Sequence, residues 1–473
     1  MIITNSTNLA SFSKYPNLRL GSFYELPKSK YPLIPFTSII SHMESGSRPV
    51  GGIKPQDYGQ AISLGGEQIG ANGSLVYDKL PYVSNDYYES SKKGKVVNQD
   101  ILICKDGALT GKVCLVDLDL LPTSKVMVNE HVYVVRGNEK TKQLFLFYLL
   151  RTKLFRNQVH DLAYRKKGQP GLNQDHIKAL KVPDIPKESQ LAFIANVQPL
   201  TDEIKRLEQV VVPVDSIIDT VFIREFSFDY FRFEELKAQK NNRFSFSQFS
   251  NNADLRFSAK YHRVAKDYVL NQLSGITGKK IKHFLSEPIA LGTSVSPNDY
   301  SKDGEYYYIS MASIKRWQFD PKDANTVSKK FSDLKKEKTV KKNDIILARS
   351  GEGTIGKVAL IDSEDVKGIF ADFTMRIRLK EYSPEFAYYY FRTSYFQYLI
   401  EVYKKGLGNN TNIFPIVIQE FPMIDISLDE QQRIVGEIHS EIEKQESIKA
   451  KIASLRSEID RIIEDTIIGG ETA

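Results

Sequence analysis

The second half of this 473-residue chain echoes the first at a separation of about 240 residues, which commits it to building one unit twice. Asn17-Leu-Arg-Leu-Gly-Ser-Phe-Tyr24 answers to Asp254-Leu-Arg-Phe-Ser-Ala-Lys-Tyr261, and Ile62-Ser-Leu-Gly65 to Ile309-Ser-Met-Ala312. Asp100-Ile-Leu-Ile-Cys-Lys-Asp-Gly107 with Gly111-Lys-Val113 matches Asp344-Ile-Ile-Leu-Ala-Arg-Ser-Gly351 with Gly356-Lys-Val358. Arg151-Thr152 pairs with Arg392-Thr393, and Lys167-Gly168 with Lys405-Gly406. Asn173, Pro183 and Gln190 pair with Asn412, Pro422 and Gln431. Each match is weak by itself, but the common order makes them a duplication.

Both repeats follow one internal plan. The front part carries short apolar runs such as Ile101–Ile103, Val113–Val116, Val132–Val135, Ile345–Leu347, Val358–Ile361 and Met375–Leu379, punctuated by Gly, Pro, Asn and Asp, which predicts strands. Helical spacing follows at Gln143–Lys153 and Pro384–Tyr398. The back part changes character. Apolar residues fall at heptad positions from Val197 (Leu200, Ile204, Leu207, Val211, Val214, Ile218, Val221) and again from Ile434 (Ile438, Ile448, Ile452, Leu455, Ile459, Ile462), the second set interrupted by Glu441 and Gln445. That spacing predicts two long helices packed on each other as a coiled coil. Pro199 and Pro213 oppose a straight first helix, which is expected to start later or to bend.

Charge points toward a partner. The 65 Lys and Arg against 58 Asp and Glu give +7, yet Leu428–Asp465 alone carries six basic and ten acidic residues, so the remainder stands at +11 and suits a polyanion. No stretch approaches the length of apolar sequence that crosses a bilayer, and Met1–Ser13 lacks a basic region followed by an apolar core, so a soluble cytoplasmic protein without membrane contact is expected. The two cysteines, Cys104 and Cys114, make neither a disulfide framework nor a metal motif, and the seven histidines form no metal-binding cluster, so no metal site is expected.

The catalytic motifs on offer fail on their neighbours. Gly351-Glu-Gly-Thr-Ile-Gly356-Lys357 has phosphate-loop spacing, but Val358 stands where a metal-holding Ser or Thr belongs, and an aliphatic strand-like run follows instead of a helix. A glycine turn between two strands, with Lys112 or Lys357 at its edge, accounts for it better. Pro183-Asp184 with Glu203 and Lys205 resembles a nuclease cluster, yet Glu203 and Lys205 flank the seam residue Ile204 and have no counterpart in the second repeat. Adenine methylation would need an Asn/Asp-Pro-Pro-aromatic loop, and the chain has no Pro-Pro at all. No strand leads into a G-x-G-x-x-G turn. These features describe a binder without catalytic residues or a cofactor of its own.

Nucleic acid is the expected ligand. Tyr164-Arg165-Lys166-Lys167-Gly168-Gln169, leading to Asn173, has its counterpart in Tyr403-Lys404-Lys405 through Asn409, Asn410 and Asn412. Lys and Arg neutralise phosphates, while Asn and Gln pair with base edges. Lys105, Lys112, Arg349 and Lys357 flank the glycine turns. Arg48, Lys315, Arg316 and Trp317 lie in loops after predicted strands as groove readers, although Trp317 reads equally well as a half-buried packing residue.

Taken together, the Asp-Ile…Gly…Gly-Lys-Val segments, the Lys-Gly…Asn loops and a Pro followed by Gln190 or Gln431 at the head of a long helix resemble the specificity subunit of type I restriction–modification systems. Asp344–Ile361 and Asp429-Glu-Gln-Gln-Arg-Ile-Val435 lie closest to that pattern. Lys187-Glu-Ser-Gln190, the shortened Gly107–Lys112 loop and the helix prolines depart from it. The resemblance implies an α+β chain with target-recognition domain 1 at 1–182, conserved helical spacer 1 at 183–240, target-recognition domain 2 at 241–424 and spacer 2 at 425–473, the spacers packing antiparallel. It further implies that each recognition domain reads one half of a bipartite double-stranded DNA target. Two methyltransferase subunits would then use S-adenosylmethionine, and restriction subunits would hydrolyse ATP with Mg. The alternatives are a stand-alone nuclease or methyltransferase with unrecognised motifs, and a protein-binding adaptor.

Overall fold

The computed structural model describes residues 29–49, 52, 59–77, 80–163, 169–239, 245, 247, 256, 258–406 and 410–468. By contact density the chain forms two units, Met1–Val210 with Ala450–Ala473, and Val211–Lys449.

In the first unit the strands are β1 (Leu33–Pro35), β2 (Ile40–Ser45), β3 (Ala61–Leu64), β4 (Tyr82–Val83), β5 (Ile101–Cys104), β6 (Val113–Leu115), β7 (Val126–Val128), β8 (Val132–Gly137) and β9 (Lys181–Pro183). Helices α1 (Asn85–Ser90), α2 (Gln143–Leu149), α3 (Lys153–Ala163), α4 (Gln174–Ala179) and α5 (Lys187–Glu208) accompany them. A four-stranded sheet has the order β2-β8-β5-β6, a three-stranded one the order β4-β3-β7, and β1 pairs with β9. The β5 residues are all buried, which explains why they read as a continuous aliphatic run instead of an alternating one.

The second unit contains β10 (Ala290–Leu291), β11 (Tyr306–Ile309), β12 (Asn325–Val327), β13 (Ile345–Ala348), β14 (Val358–Leu360), β15 (Gly368–Phe370) and β16 (Thr374–Ile377). Its helices are α6 (Val214–Phe226), α7 (Tyr230–Ala238), α8 (Val264–Ile276), α9 (Met311–Ile314), α10 (Lys329–Leu334), α11 (Pro384–Arg392), α12 (Ser394–Tyr403), α13 (Pro415–Ile418) and α14 (Leu428–Ile468). The sheets run β10-β16-β13-β14 and β12-β11-β15. Strand for strand this is the order of the first unit, including the single parallel pairing in the three-stranded sheet, β3 with β7 and β11 with β15.

Side chains repeat their roles as well. Asp100, buried at the start of β5, takes two bonds from Arg136 at 2.6 and 2.7 Å and one from the Val97 amide. Asp344 does the same with Arg378 at 2.6 and 2.8 Å and the Lys341 amide. Gln190 accepts from the Lys142 amide beside α2 at 2.9 Å, and Gln431 from the Ser383 amide beside α11 at 2.8 Å. Each glutamine thus ties the first turn of a long helix to its sheet domain. The paired Asp-Ile and Gln signals in the sequence are therefore structural anchors.

Register corrects two of the sequence matches. Leu64 faces Val128 as Ile309 faces Phe370, so the counterpart of Ile62 is Tyr307 and not Ile309. A two-residue slip keeps the same side-chain parity along a strand, so sequence similarity does not detect it. Likewise Leu172 N–H donates to Lys105 O and Ile413 N–H to Arg349 O, which places Asn412 opposite Gly171 and sets Asn173 against Phe414. The two asparagines solve different backbone problems. Asn173 caps α4, accepting from His176 N at 2.8 Å, whereas Asn412 is bridged to Lys405 through both its amide and its carbonyl. The predicted helices Gln143–Lys153 and Pro384–Tyr398 each break in two. Thr152 and Thr393 donate to the carbonyls of Leu149 and Tyr390 at 2.7 Å, and each hydroxyl accepts the amide three residues on, opening a new helix.

The long helices also depart from expectation. Helix α5 begins at Lys187, ten residues ahead of the first heptad position, and runs through Pro199. Pro199 and Ala195, whose carbonyl loses its bond there, are both exposed, so water can satisfy that carbonyl. The break comes instead over 209–213, with Pro213 as the cap of α6. In contrast, α14 is continuous over 41 residues, about 60 Å. Its residues up to Lys449 belong to the second unit and those from Ala450 to the first.

Within each unit α14 runs antiparallel to its neighbour. In the second, Glu225 pairs with Arg433 while Val212, thirteen residues earlier, donates to Gln445 Oε1 at 2.8 Å. In the first, Glu208 pairs with Arg456, and Ser189 accepts from Tyr31, whose neighbour Lys30 donates to Ile467 O. Gln445, the amide that interrupts the second heptad stripe, is the group that accepts an N–H freed by the break in the first.

Candidate nucleic-acid interface

The end of the four-stranded sheet carries a cation at the same position in both units. Lys105 follows β5 and donates to Glu130 O at 3.3 Å. Arg349 follows β13 and donates through Nε to Asp372 O at 2.9 Å. A main-chain carbonyl that leads into the partner strand thus holds each cation in place, and the rigid sheet fixes its position.

The surroundings of the two cations differ. Around Lys105, His131 lies between Asp106 at 2.8 Å and Glu130 at 3.3 Å, and Arg48 binds Glu130 at 2.8 Å. Gln169 is exposed beside the Gly107 turn. Around Arg349, the Nη1 atom is 3.4 Å from Asn412 Oδ1, and the guanidinium lies about 6 Å over the rings of Phe373 and Phe414. Both rings are largely exposed, at 46% and 41%. A half-buried cation between two open aromatic faces and an amide can meet phosphate, stack on a base or read a base edge. Phe373 and Phe414 do not stand out in the sequence. The signal available is an aromatic directly after a buried strand junction and directly before Pro415.

The remaining candidates fall into distinct settings. Lys404 is half-buried and pairs with Glu401 at 2.6 Å, and Arg256 donates to its carbonyl. Lys405 and Asn410 are exposed at the two ends of their loop. Lys315 and Arg316 are partly neutralised by Asp323 and Asp320 at 3.2 to 3.4 Å. The Trp317 ring is clamped, with Lys357 Nζ 3.7 Å from its centre and the Arg392 guanidinium 5.2 Å away, so it serves packing. Burial at this ring lowers the Lys357 pKa. Lys112 lines a cavity beside Arg151. Arg165, Lys166, Lys167 and Asn409 lie outside the described residues, as do Asn17–Tyr24 and three residues of Asp254–Tyr261.

The catalytic look-alikes resolve as architecture. Gly351–Lys357 joins two antiparallel strands, β13 and β14, with positive φ at Gly351, Gly353 and Gly356. At Gly356 (φ +86°) a Cβ would stand 2.7 Å from Gln397 Oε1, so the glycine allows α12 to approach. Glu203 is bound by Arg206 and Lys451 at 2.7 Å, and these partners hold its carboxyl down to about 2. Among the described residues no cluster of metal-ligating side chains occurs, and no helix is long and apolar enough to cross a membrane.

A family model of the type I restriction modification DNA specificity domain matches the chain twice, over residues 44–210 and 287–456. No curated protein matches it. Among solved structures, a chain from a study of complex assembly and conformational transition of the type I R-M system is 14% identical, with a TM-score of 0.46, covering 94% of this chain and 98% of that one. The S subunit of a type I restriction-modification system from M. genitalium is 13% identical with a TM-score of 0.41, covering 96% and 99%. The HsdS subunit from Thermoanaerobacter tengcongensis is 15% identical with a TM-score of 0.33, covering 94% and 98%.

Proposed function

Because the chain belongs to the type I restriction modification DNA specificity domain family, it is a DNA specificity subunit, and we propose that each of its two units reads one half of a bipartite target. The observation that supports this reading is the placement of two family matches on units with one strand order but different side chains at the shared cation. A common frame with different reading surfaces suits a target whose halves differ. Specificity subunits of this family are generally non-catalytic. In this reading the chain supplies sequence recognition, and two methyltransferase subunits and restriction subunits supply the chemistry. S-adenosylmethionine, ATP and Mg then belong to those partners. The long helices serve as spacer and docking surface.

Exchange of the segment before Pro183 for a homologous recognition domain tests the proposal. Sequencing of modified adenines in a host carrying the hybrid should show one half of the methylated sequence changed and the other kept. A change in both halves, or in neither, refutes modular reading.

A further inference from the structure

The duplication exposes one place where the units differ by a whole side chain. After the first strand of each three-stranded sheet, the chain turns and ends the turn on a residue with positive φ whose N–H donates to the carbonyl three residues back. In the second unit that residue is Trp317 (φ +65°, to Ile314 O), and in the first it is Gly73 (φ +86°, to Gly70 O). The indole of Trp317 fills the space between Lys357 and Arg392, and Arg392 is neutralised by Asp215 on α6 at 2.7 Å. The counterparts of these cations in the first unit, Lys112 and Arg151, have no such ring between them. They line an open cavity of about 510 Å³, with Arg156 and Asp460 also on its wall.

Charge in this cavity is not balanced as it is in the second unit. Among the described residues no carboxylate lies within ion-pair distance of Arg151, whose guanidinium stacks at 5.1 Å on Phe147. Burial pushes its pKa below the ordinary guanidinium range, with Asp460 opposing this and Arg456 and Arg156 adding to it. Asp460 shares this wall but stands outside ion-pair distance, so the partly desolvated guanidinium has no direct anionic partner, and Gly73 leaves it without the indole that lies beside Arg392.

We propose that this cavity binds a nucleotide, the base lying where the second unit holds its indole and the phosphate facing Arg151 and Arg156. A purine ring offers a π face to the Lys112 ammonium, as Trp317 does to Lys357. A phosphate accepts paired hydrogen bonds from guanidinium groups. The volume falls in the range of small-molecule sites. The nucleotide has two sources, a free mononucleotide or a nucleotide of a nucleic-acid strand. The inference concerns a site apart from the sheet-end cations and holds whether or not the units read DNA halves.

Calorimetric titration of the full chain with AMP, adenosine and inorganic phosphate tests the site. AMP is expected to bind saturably at one site, with adenosine and phosphate each at least about tenfold weaker. Lys112→Ala and Arg156→Ala should each weaken AMP about tenfold. Ala71→Trp, which places an indole on the exposed lip of the cavity without removing a cation, should abolish binding. Displacement of AMP by random-sequence duplex or single-stranded DNA assigns the nucleotide to a strand, and simultaneous binding assigns it to the free pool. Absence of saturable heat up to about 10 mM AMP, equal binding of inorganic phosphate, or unchanged affinity in all three variants overturns the proposal.

Discussion

Removal of the Asp219 carboxylate should destabilise the second unit by an amount that can be worked out from its bonds. Asp219, on α6, accepts from Ser394 N at 2.8 Å, Ser394 Oγ at 2.5 Å and Tyr230 Oη at 2.8 Å. It thereby holds the first amide of α12 and a half-buried phenol. Hydrogen bonds to an ionised acceptor contribute about 1.5–3 kcal/mol, and an anion at a helix N-terminus adds about 0.3–1 kcal/mol. Asp219→Ala should therefore cost about 2–4 kcal/mol. With a urea slope of about 3 kcal/mol/M, the midpoint falls by about 1 M. The only tryptophan, Trp317, lies in this unit, so its emission follows the relevant transition.

Asp219→Asn keeps one acceptor and should cost less than half as much. Its pH dependence has a definite sign. Burial raises the Asp219 pKa, against the downward pull of Ser394 and Tyr230, so the native state holds its proton longer than the unfolded chain. Wild-type stability is then fully present below the ordinary carboxylate range and declines as pH rises through the folded-state pKa. The amide does not titrate, so its deficit should shrink from about pH 4 toward pH 7. A midpoint shift below about 0.3 M for Asp219→Ala, equal costs for the two variants, or a deficit that grows with pH refutes the reasoning.

Asp344→Ala should destabilise the second unit by about 3–5 kcal/mol, because Arg378 and the Lys341 amide lose a buried partner. Urea denaturation followed by Trp317 emission measures this, and a cost below about 1 kcal/mol contradicts the anchor role. Lys404→Ala combined with Lys405→Ala should weaken DNA binding across sequences and reduce the slope of log K against log salt by about 0.9 for each phosphate no longer neutralised. An unchanged slope removes this loop from the phosphate surface.

Local chemistry was enough to establish the duplication, the buried aliphatic strands, the lack of a phosphate loop and the presence of long helices at the back of each repeat. A run such as Ile345-Ile-Leu-Ala348 has few stable fates other than a buried strand, and Val358 after Gly356-Lys357 excludes the helix that a phosphate site needs. The register of the repeats had to wait for the fold, since a slip of two residues leaves strand parity unchanged, as with Ile62 and Tyr307. So did the place where the first long helix breaks. Exposure lets Pro199 stay within α5, and the Gln445 acceptor for Val212 comes from a residue 233 positions away. The same holds for which cations are available to a ligand. Lys404, Lys315 and Arg316 look alike in the sequence, but their freedom depends on Glu401, Asp320 and Asp323. Charge is written residue by residue, whereas neutralisation is a property of which residues the fold brings together.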